Sequence, residues 1–209
     1  VEYQCTVLVT KNLNLSIKNV DRRGFTMKIR LCSSSPTRAK ILREFGVDFI
    51  QSSVDFDEDG LNYNEPNTFV YQASLGKLKR ATELYSFEYP LLCADSVIVS
   101  EGMILRKAKS RDEAKRFLEL QSNSRVKIVT AVHLKSEEFY FIDISATEYR
   151  FHKFDEYDLK IYLDSKEWQG KAGACMVERF CKKYIGSVKG YQSTAMGLQI
   201  ERVLPWIGE

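Results

Sequence analysis

From Met27 onward the sequence predicts an α/β protein with a mixed β-sheet and flanking helices, and two observations carry this. Strand-like apolar runs alternate with amphipathic stretches at helical spacing, so several strands are joined by the crossovers that parallel neighbours need. Two long strand-like runs, 126–134 and 139–149, instead follow one another across a short polar turn, the pattern of an antiparallel hairpin. A sheet holding both kinds of connection contains both strand directions.

The elements follow in order. Residues 28–32 form a short strand. Ser35 as N-cap, Pro36 at the first helical position and Gly46 just past the last turn bracket a helix. Asp55-Phe56-Asp57-Glu58-Asp59-Gly60 is an acidic loop, and a helix covers about 67–86. A strand over 91–99 turns at Glu101-Gly102 into Met103-Ile104-Leu105. Ser110 and Glu113 stand at capping-box spacing and open the next helix. Beyond the hairpin come a short helix near 155–163 and the glycine-rich passage Gly170-Lys171-Ala172-Gly173-Ala174. A last helix over 198–206 is expected to stop at Pro205.

Residues 1–26 read as a separate extension, flexible or extraneous, with the folded domain at 27–209. Met27 is a natural start, and Lys11, Lys18, Arg22 and Arg23 against Glu2 and Asp21 give the extension +2 of the net +3. Residues 3–10 have strand composition, so an added edge strand is the alternative. No charged start leads into a long apolar core, which argues against a secretory signal.

Composition excludes several classes of function. At 209 residues the chain can bury a sizeable core, and no apolar run is long enough to span a membrane. A net charge of +3 with scattered basic residues does not mark a nucleic-acid binder. The five cysteines are odd in number and form no Cys-x-x-Cys pair, which argues against a zinc site or a disulfide framework and fits a reducing cytoplasm. Cys32 and Cys93 read as small core residues. With only two histidines, a Ser-His-Asp or Cys-His site has little support.

The run Leu91 to Val99 holds one charge in nine residues. Strand parity puts Leu91, Cys93, Asp95, Val97 and Val99 on one face. A carboxylate there loses water and needs a cation, a metal or strong donors in exchange. Asp95 is therefore a functional candidate; a structural carboxylate capping a neighbouring loop is the alternative. Ser33-Ser34-Ser35-Pro36-Thr37-Arg38 sits between a strand and a helix start, where free amides, hydroxyls and a guanidinium make either a phosphate cradle or ordinary capping. Lys77 lies on the helical row Val70, Ala73, Lys77, Ala81, Leu84, so it interrupts a buried stripe. It either snorkels to the surface or points a cation into a cleft. Lys107, following an apolar strand, has the same two options. The acidic loop is either a solvated face or a source of carboxylates for Mg²⁺.

In these segments the chain, from Met27 to about Leu204, resembles the Maf family of nucleoside triphosphate pyrophosphatases. The family's opening Ser-x-Ser-Pro-Arg-Arg is similar to Ser33-Ser34-Ser35-Pro36-Thr37-Arg38. Its Gly-Ala-Asp-Thr-Val-Val is similar to Cys93-Ala94-Asp95-Ser96-Val97-Ile98, and its Gly-x-Ile-Leu-x-Lys-Pro to Gly102 through Ala108. The later Thr-Gly-Val, Lys-Ala-Gly-Ala-Tyr and Val-Gly-Leu-Pro elements resemble Thr130-Ala131-Val132, Lys171 to Cys175, and Met196-Gly197-Leu198-Gln199.

The resemblance implies an inosine triphosphatase-like fold with two lobes around a cleft. It also implies hydrolysis of nucleoside triphosphates, including modified or non-standard ones, to the monophosphate and pyrophosphate. Asp95 matches the family's catalytic aspartate, with Lys77 and Lys107 at its catalytic lysines. Ser33, Ser35 and Arg38 match the phosphate loop. Glu58 and Asp95 are the implied metal carboxylates, for Mg²⁺, Mn²⁺ or Co²⁺. Thr37, Ser96 and Glu178 occupy the family's base-selectivity positions. Glu178 favours a guanine-type base, whose adjacent N–H donors one carboxylate can accept together, while Ser96 points towards the pyrimidine group. The family analogy also implies a homodimer. Thr37, Cys93 and Ala108 depart from the family's arginine, glycine and proline, and the stretch 186–196 is longer than its usual loop. The alternative function is a nucleotide-binding regulator of cell division, acting through a partner rather than by turnover.

Overall fold

The computed structural model describes residues 27–58 and 60–208. In chain order it forms β1 (Ile29–Cys32), α1 (Pro36–Glu44), β2 (Phe49–Ser52), α2 (Pro66–Leu84), β3 (Leu91–Ser100) and β4 (Met103–Leu105). Next come α3 (Arg111–Gln121), β5 (Arg125–Lys135), β6 (Tyr140–Phe151) and α4 (Glu156–Ser165). A 3₁₀ turn (Phe180–Tyr184), β7 (Ile185–Lys189), α5 (Gln192–Ala195) and α6 (Ile200–Ile207) complete the chain. The 1–26 extension and the strand composition of 3–10 lie outside the described residues.

The seven strands form one mixed sheet in the order β2-β1-β3-β5-β6-β7, with β4 added to β3. β1 runs parallel to both β2 and β3, and the remaining pairs are antiparallel. β5 pairs with β3 along its whole length, from Leu91↔Lys135 to Ser100↔Val126. β1 and β4 must then share the other edge of β3, where β1 reaches only Leu91 and Leu92 and β4 only Ile98 to Ser100. Between them the β3 edge has no strand partner among the described residues. This notch is where the candidate site lies.

Helices cover both faces of the sheet. α2 lies over Cys93, Asp95 and Val97. Phe69, Val70 and Ala73 pack on Val97, Val129 and Ala131, and Leu78 and Ala81 pack on Cys32, Leu91 and Cys93. The other face carries two clusters at opposite ends of β3. At one end α1 and α6 bury Ile41, Leu42, Val203 and Ile207 against Leu31, Leu92 and Val132. At the other, α3 and α4 bury Phe117, Leu118, Tyr162 and Leu163 against Ile98, Ile128 and Phe151. The two ends are the lobes, and Asp95 and Ser96 fall between them.

The helix signals work as their chemistry demands. Ser35 Oγ accepts from Arg38 N at 3.4 Å, and Gly46 leaves α1 at φ +68°. Glu65 caps α2, accepting from Asn67 N at 3.0 Å and Thr68 N at 2.6 Å. Two strands are added to the expected elements and two expectations are corrected. β2 was not foreseen, because Phe49-Ile50-Gln51-Ser52 is too short to show a period. β7 was not foreseen either; the long stretch 186–196 supplies a largely exposed edge strand and α5 rather than a plain loop. α6 begins at Ile200 and continues through Pro205 to Ile207. Pro205 lies on the exposed side, where the carbonyl it leaves unbonded can meet water, while Ile200, Val203 and Ile207 anchor the helix. Leu84, placed on the buried row of α2, is exposed where the helix ends.

Cys32 and Cys93 are buried as small core residues. Cys175 and Cys181 are also buried free thiols, their sulfurs 2.9 Å apart, and Cys5 lies outside the described residues. No helix among the described residues is long and apolar enough to cross a membrane.

Candidate functional site

The notch explains how residues from both faces of the sheet reach one cleft. Consecutive side chains of β3 point to opposite faces, so Asp95 turns towards α2 and Ser96 towards α1. A paired edge would separate them. With no strand beside Cys93 to Val97, both open onto a hollow of about 580 Å³. Ser33, Ser35, Thr37, Arg38, Glu58, Lys77, Asp95, Ser96, Lys107 and Glu178 all line it. The sequence named all ten, and the fold brings them together. A second hollow of about 880 Å³ meets the first at Glu58, Asp95, Ser96 and Lys107.

Among the charged residues lining the cleft Asp95 is the most deeply placed, at 4 % exposure. Lys77 Nζ donates to Asp95 Oδ1 at 2.5 Å and lies 2.5 Å from Glu58 Oε1, so it enters the cleft rather than snorkelling away. Lys107 Nζ stands 3.4 Å from Glu58 Oε2 at the exposed rim. Burial raises the Asp95 pKa, and the Glu58 charge adds to this; Lys77 and Arg38 oppose it without cancelling it. For Glu58 the balance reverses. Burial acts to raise it, but Lys77 and Lys107 together hold it below the ordinary carboxylate value. Two nearby carboxylates are thus pushed apart, the more buried one upward. Asp95 Oδ2 is buried with no hydrogen-bond partner among the described residues. That oxygen suits a ligand, a water or a cation. Among the described residues no three His, Cys, Asp or Glu side chains gather as a metal cage. Glu58 and Asp95 instead offer the one or two carboxylates with which Mg²⁺ ordinarily joins substrate phosphates.

Arg38 organises the other wall. Its Nε donates to Gly197 O at 2.8 Å, Nη1 to Ser33 Oγ at 3.0 Å and Nη2 to Ser96 Oγ at 3.5 Å. The relay continues from Ser96 Oγ to Thr130 Oγ1 at 2.8 Å, and Thr130 donates to Thr194 O at 2.8 Å. This ties the helix-start loop, the central strands and the segment after α5 into one polar wall. Ser33 and Ser35 oxygens both accept within the loop, Ser35 as the N-cap, and each retains a hydroxyl proton to donate. Thr37 and Glu178 are half-buried on the lining.

Sequence reasoning missed three participants. Gln51 Nε2 donates to the carbonyls of Ser33 at 2.9 Å and Ser35 at 3.3 Å, bracing the loop from the unforeseen β2. Thr130 and Gly197 were noted only within motifs, yet both hold the Arg38 wall. An interior threonine on a central strand opposite Ser96 was the available signal.

A family model described as "Maf-like protein" matches residues 28–209. A nucleoside triphosphate pyrophosphatase from a species of Nitratiruptor is 51 % identical over 177 residues, covering 84 % of this chain and 96 % of its own. A protein of the same name from Helicobacter pylori is 37 % identical over 178 residues, covering 85 % and 94 %. Another, from Campylobacter jejuni subsp. jejuni, is 35 % identical over 181 residues, covering 85 % and 98 %. With residues 28–209 matched and a cleft assembled from its motifs, the chain belongs to the Maf family.

Proposed function

We propose that the protein is a nucleoside triphosphate pyrophosphatase that cleaves the bond between the α- and β-phosphates, releasing a nucleoside monophosphate and pyrophosphate. The observation that carries the reading is the cluster Asp95–Lys77–Glu58 at the floor of a cleft walled by Ser33, Arg38 and Lys107. The relatives named nucleoside triphosphate pyrophosphatases support it.

Three requirements of the chemistry have residues to meet them. The attacking water needs a positioned acceptor, and Asp95, whose raised pKa makes it a stronger base than an ordinary aspartate, supplies one. The triphosphate needs charge neutralisation, which Arg38, Lys77 and Lys107 provide. The leaving pyrophosphate gathers negative charge as the P–O bond breaks, and preorganised cations stabilise it most in a water-poor cleft. Glu58 and Asp95 would hold a divalent cation, which supplies Lewis-acid polarisation of the phosphates when bound. Lys77, shared by both carboxylates, favours the charged form of each before substrate and cation enter.

Base choice is assigned to Thr37, Ser96 and Glu178. Glu178, half-buried on the lining, can accept from two adjacent N–H groups of a guanine-type base, whereas glutamine would offer a donor and an acceptor to uracil or thymine. The domain occupies 27–209, and its action removes modified or non-standard nucleotides before they enter nucleic acids.

The test is pyrophosphate release across normal and methylated triphosphates with Mg²⁺, Mn²⁺ and Co²⁺. Wild type turns over at least one of them, and Asp95→Asn lowers kcat by about a hundredfold or more. Glu178→Gln shifts preference from guanine towards uracil or thymine. An inert wild type across the whole panel ends the enzyme reading, and an unchanged base profile ends the role of Glu178.

A further inference from the structure

A close approach to α2 lies one residue before Lys77. A Cβ built on Gly76 would stand 2.2 Å from Cζ, 2.4 Å from Cε2 and 2.8 Å from Cε1 of Phe56, separations that real Cβ atoms do not adopt. Glycine is a poor choice inside a 19-residue helix. Here its missing side chain makes room for an aromatic ring delivered by the acidic loop.

What that ring fixes follows from the loop's own period. Ser52, Val54, Phe56 and Glu58 are half-buried while Ser53, Asp55 and Asp57 are exposed, the alternation of an extended strand. The segment descends α2 from its C-terminal end. Tyr85 Oη donates to Ser53 O at 3.3 Å, and Val54 packs on the cluster of Leu78 and Ala81. Phe56 then meets Gly76, and Glu58 meets Lys77. Beyond it Leu61 joins the Phe69, Val70 and Ala73 cluster. Phe56 is the anchor immediately before the functional carboxylate, two residues away on the same side of the extended chain.

We propose that Phe56 and Gly76 are a positioning pair: the ring seats in the recess at Gly76 and so sets the reach of Glu58 to Lys77 and Lys107. The proposal rests on Glu58 working in the pyrophosphatase site. A side chain at position 76 displaces the ring into the cleft or lifts the segment, and either movement changes where the Glu58 carboxylate stands. Neither movement disturbs the packing of α2 on the sheet, which runs through Phe69, Val70, Ala73, Leu78 and Ala81.

That separation makes Gly76→Ala a clean probe, because alanine favours the helix. We expect a melting temperature equal to or above wild type and a fall of about tenfold in kcat/KM for pyrophosphate release, the scale of a small misplacement of a working group. The loss must pass through both partners. Introduced into Phe56→Ala or into Glu58→Gln, Gly76→Ala should change kcat/KM by no more than about twofold; Phe56→Leu serves in the same cycle should Phe56→Ala fold poorly. Wild-type kcat/KM in Gly76→Ala would overturn the proposal. So would an undiminished tenfold loss in the Phe56→Ala background, or a loss accompanied by a lowered melting temperature. Glu58→Gln isolates the underlying reading. Full activity there removes the role of Glu58 itself, whereas an impaired Glu58→Gln beside an unimpaired Gly76→Ala removes only the seating.

Discussion

Asp95 combines three conditions that seldom coexist at one carboxylate: near-complete burial, an ammonium group at 2.5 Å on one oxygen and no partner on the other among the described residues. Burial and Glu58 together outweigh Lys77 and Arg38, so the acid takes up its proton at a higher pH than an ordinary aspartate. In metal-free protein, carbon-13 titration of the Asp95 carboxyl should therefore give a midpoint above the reference value of 3.8. Lys77→Met should raise it further and Glu58→Gln should lower it, because the first removes an attraction and the second a repulsion. A midpoint at or below the reference would show that Lys77 dominates instead. Much of this was legible in the sequence. One acid in an apolar strand and one lysine on an apolar helical row are each anomalous, and each anomaly finds the other. The composition of the acidic loop does not say which of its carboxylates folds inward; the family resemblance singled out Glu58, and its shared ion pair with Lys77 is what the structure adds.

At the scale of elements, end chemistry sets boundaries that hydrophobic period leaves blurred. α3 is a case in point. Ser110 Oγ accepts from Glu113 N at 3.1 Å, as capping-box spacing requires, but Glu113 Oε2 reaches back to Lys109 N at 2.7 Å rather than to the Ser110 amide. The reciprocal bond is thus shifted one residue outward and ties the cap to the chain just beyond Lys107. Ser110→Ala should cost about 1 kcal/mol by urea unfolding, with pyrophosphate release changed far less than by Asp95→Asn. A loss below about 0.3 kcal/mol would mean that Glu113 holds the helix start without the hydroxyl. The same reasoning explains which elements the sequence revealed. Helices bracketed by Ser, Pro, Gly and the capping box were legible, as was the hairpin with its long alternating arms. β2 and β7 were not: one has four residues, and the other is an exposed edge whose pairing with β6, not its composition, makes it a strand.

Across the whole molecule, buried groups unrelated to the chemistry shape its response to pH. His133 on β5 is fully buried, shares a 2.6 Å hydrogen bond with the Tyr140 hydroxyl and has its other ring nitrogen unpartnered among the described residues. Burial depresses its pKa to about 4 from 6.5. The unfolded chain therefore takes up the proton first. Stability attributable to His133 is full above about pH 6.5 and is lost progressively as the pH falls towards 4. Urea unfolding of wild type at pH 7.5 and pH 5 should differ by about 2 kcal/mol on this account, and His133→Gln should flatten most of that difference. An equal drop in both proteins would place the acid sensitivity elsewhere. Nothing in the run around His133 announced this, because the ring is covered by Tyr71 of α2, from a distant part of the sequence. That the ten candidate residues line one hollow agrees with what the family resemblance implied, while its cause, the gap in the β3 edge, depends on the lengths of β1 and β4 and lies beyond any one segment.

That gap has an operational consequence. Arg38 reaches the cleft from the end held by α1 and α6, Lys77 from α2 on the opposite face, and Lys107 from the connection between β4 and α3. No layer owns the cluster, and each supplies a group the others cannot replace. Loosening any one of them disperses the charges while most apolar surface stays buried. Inactivation should therefore precede denaturation, with pyrophosphate release lost at a lower urea concentration than the helical signal.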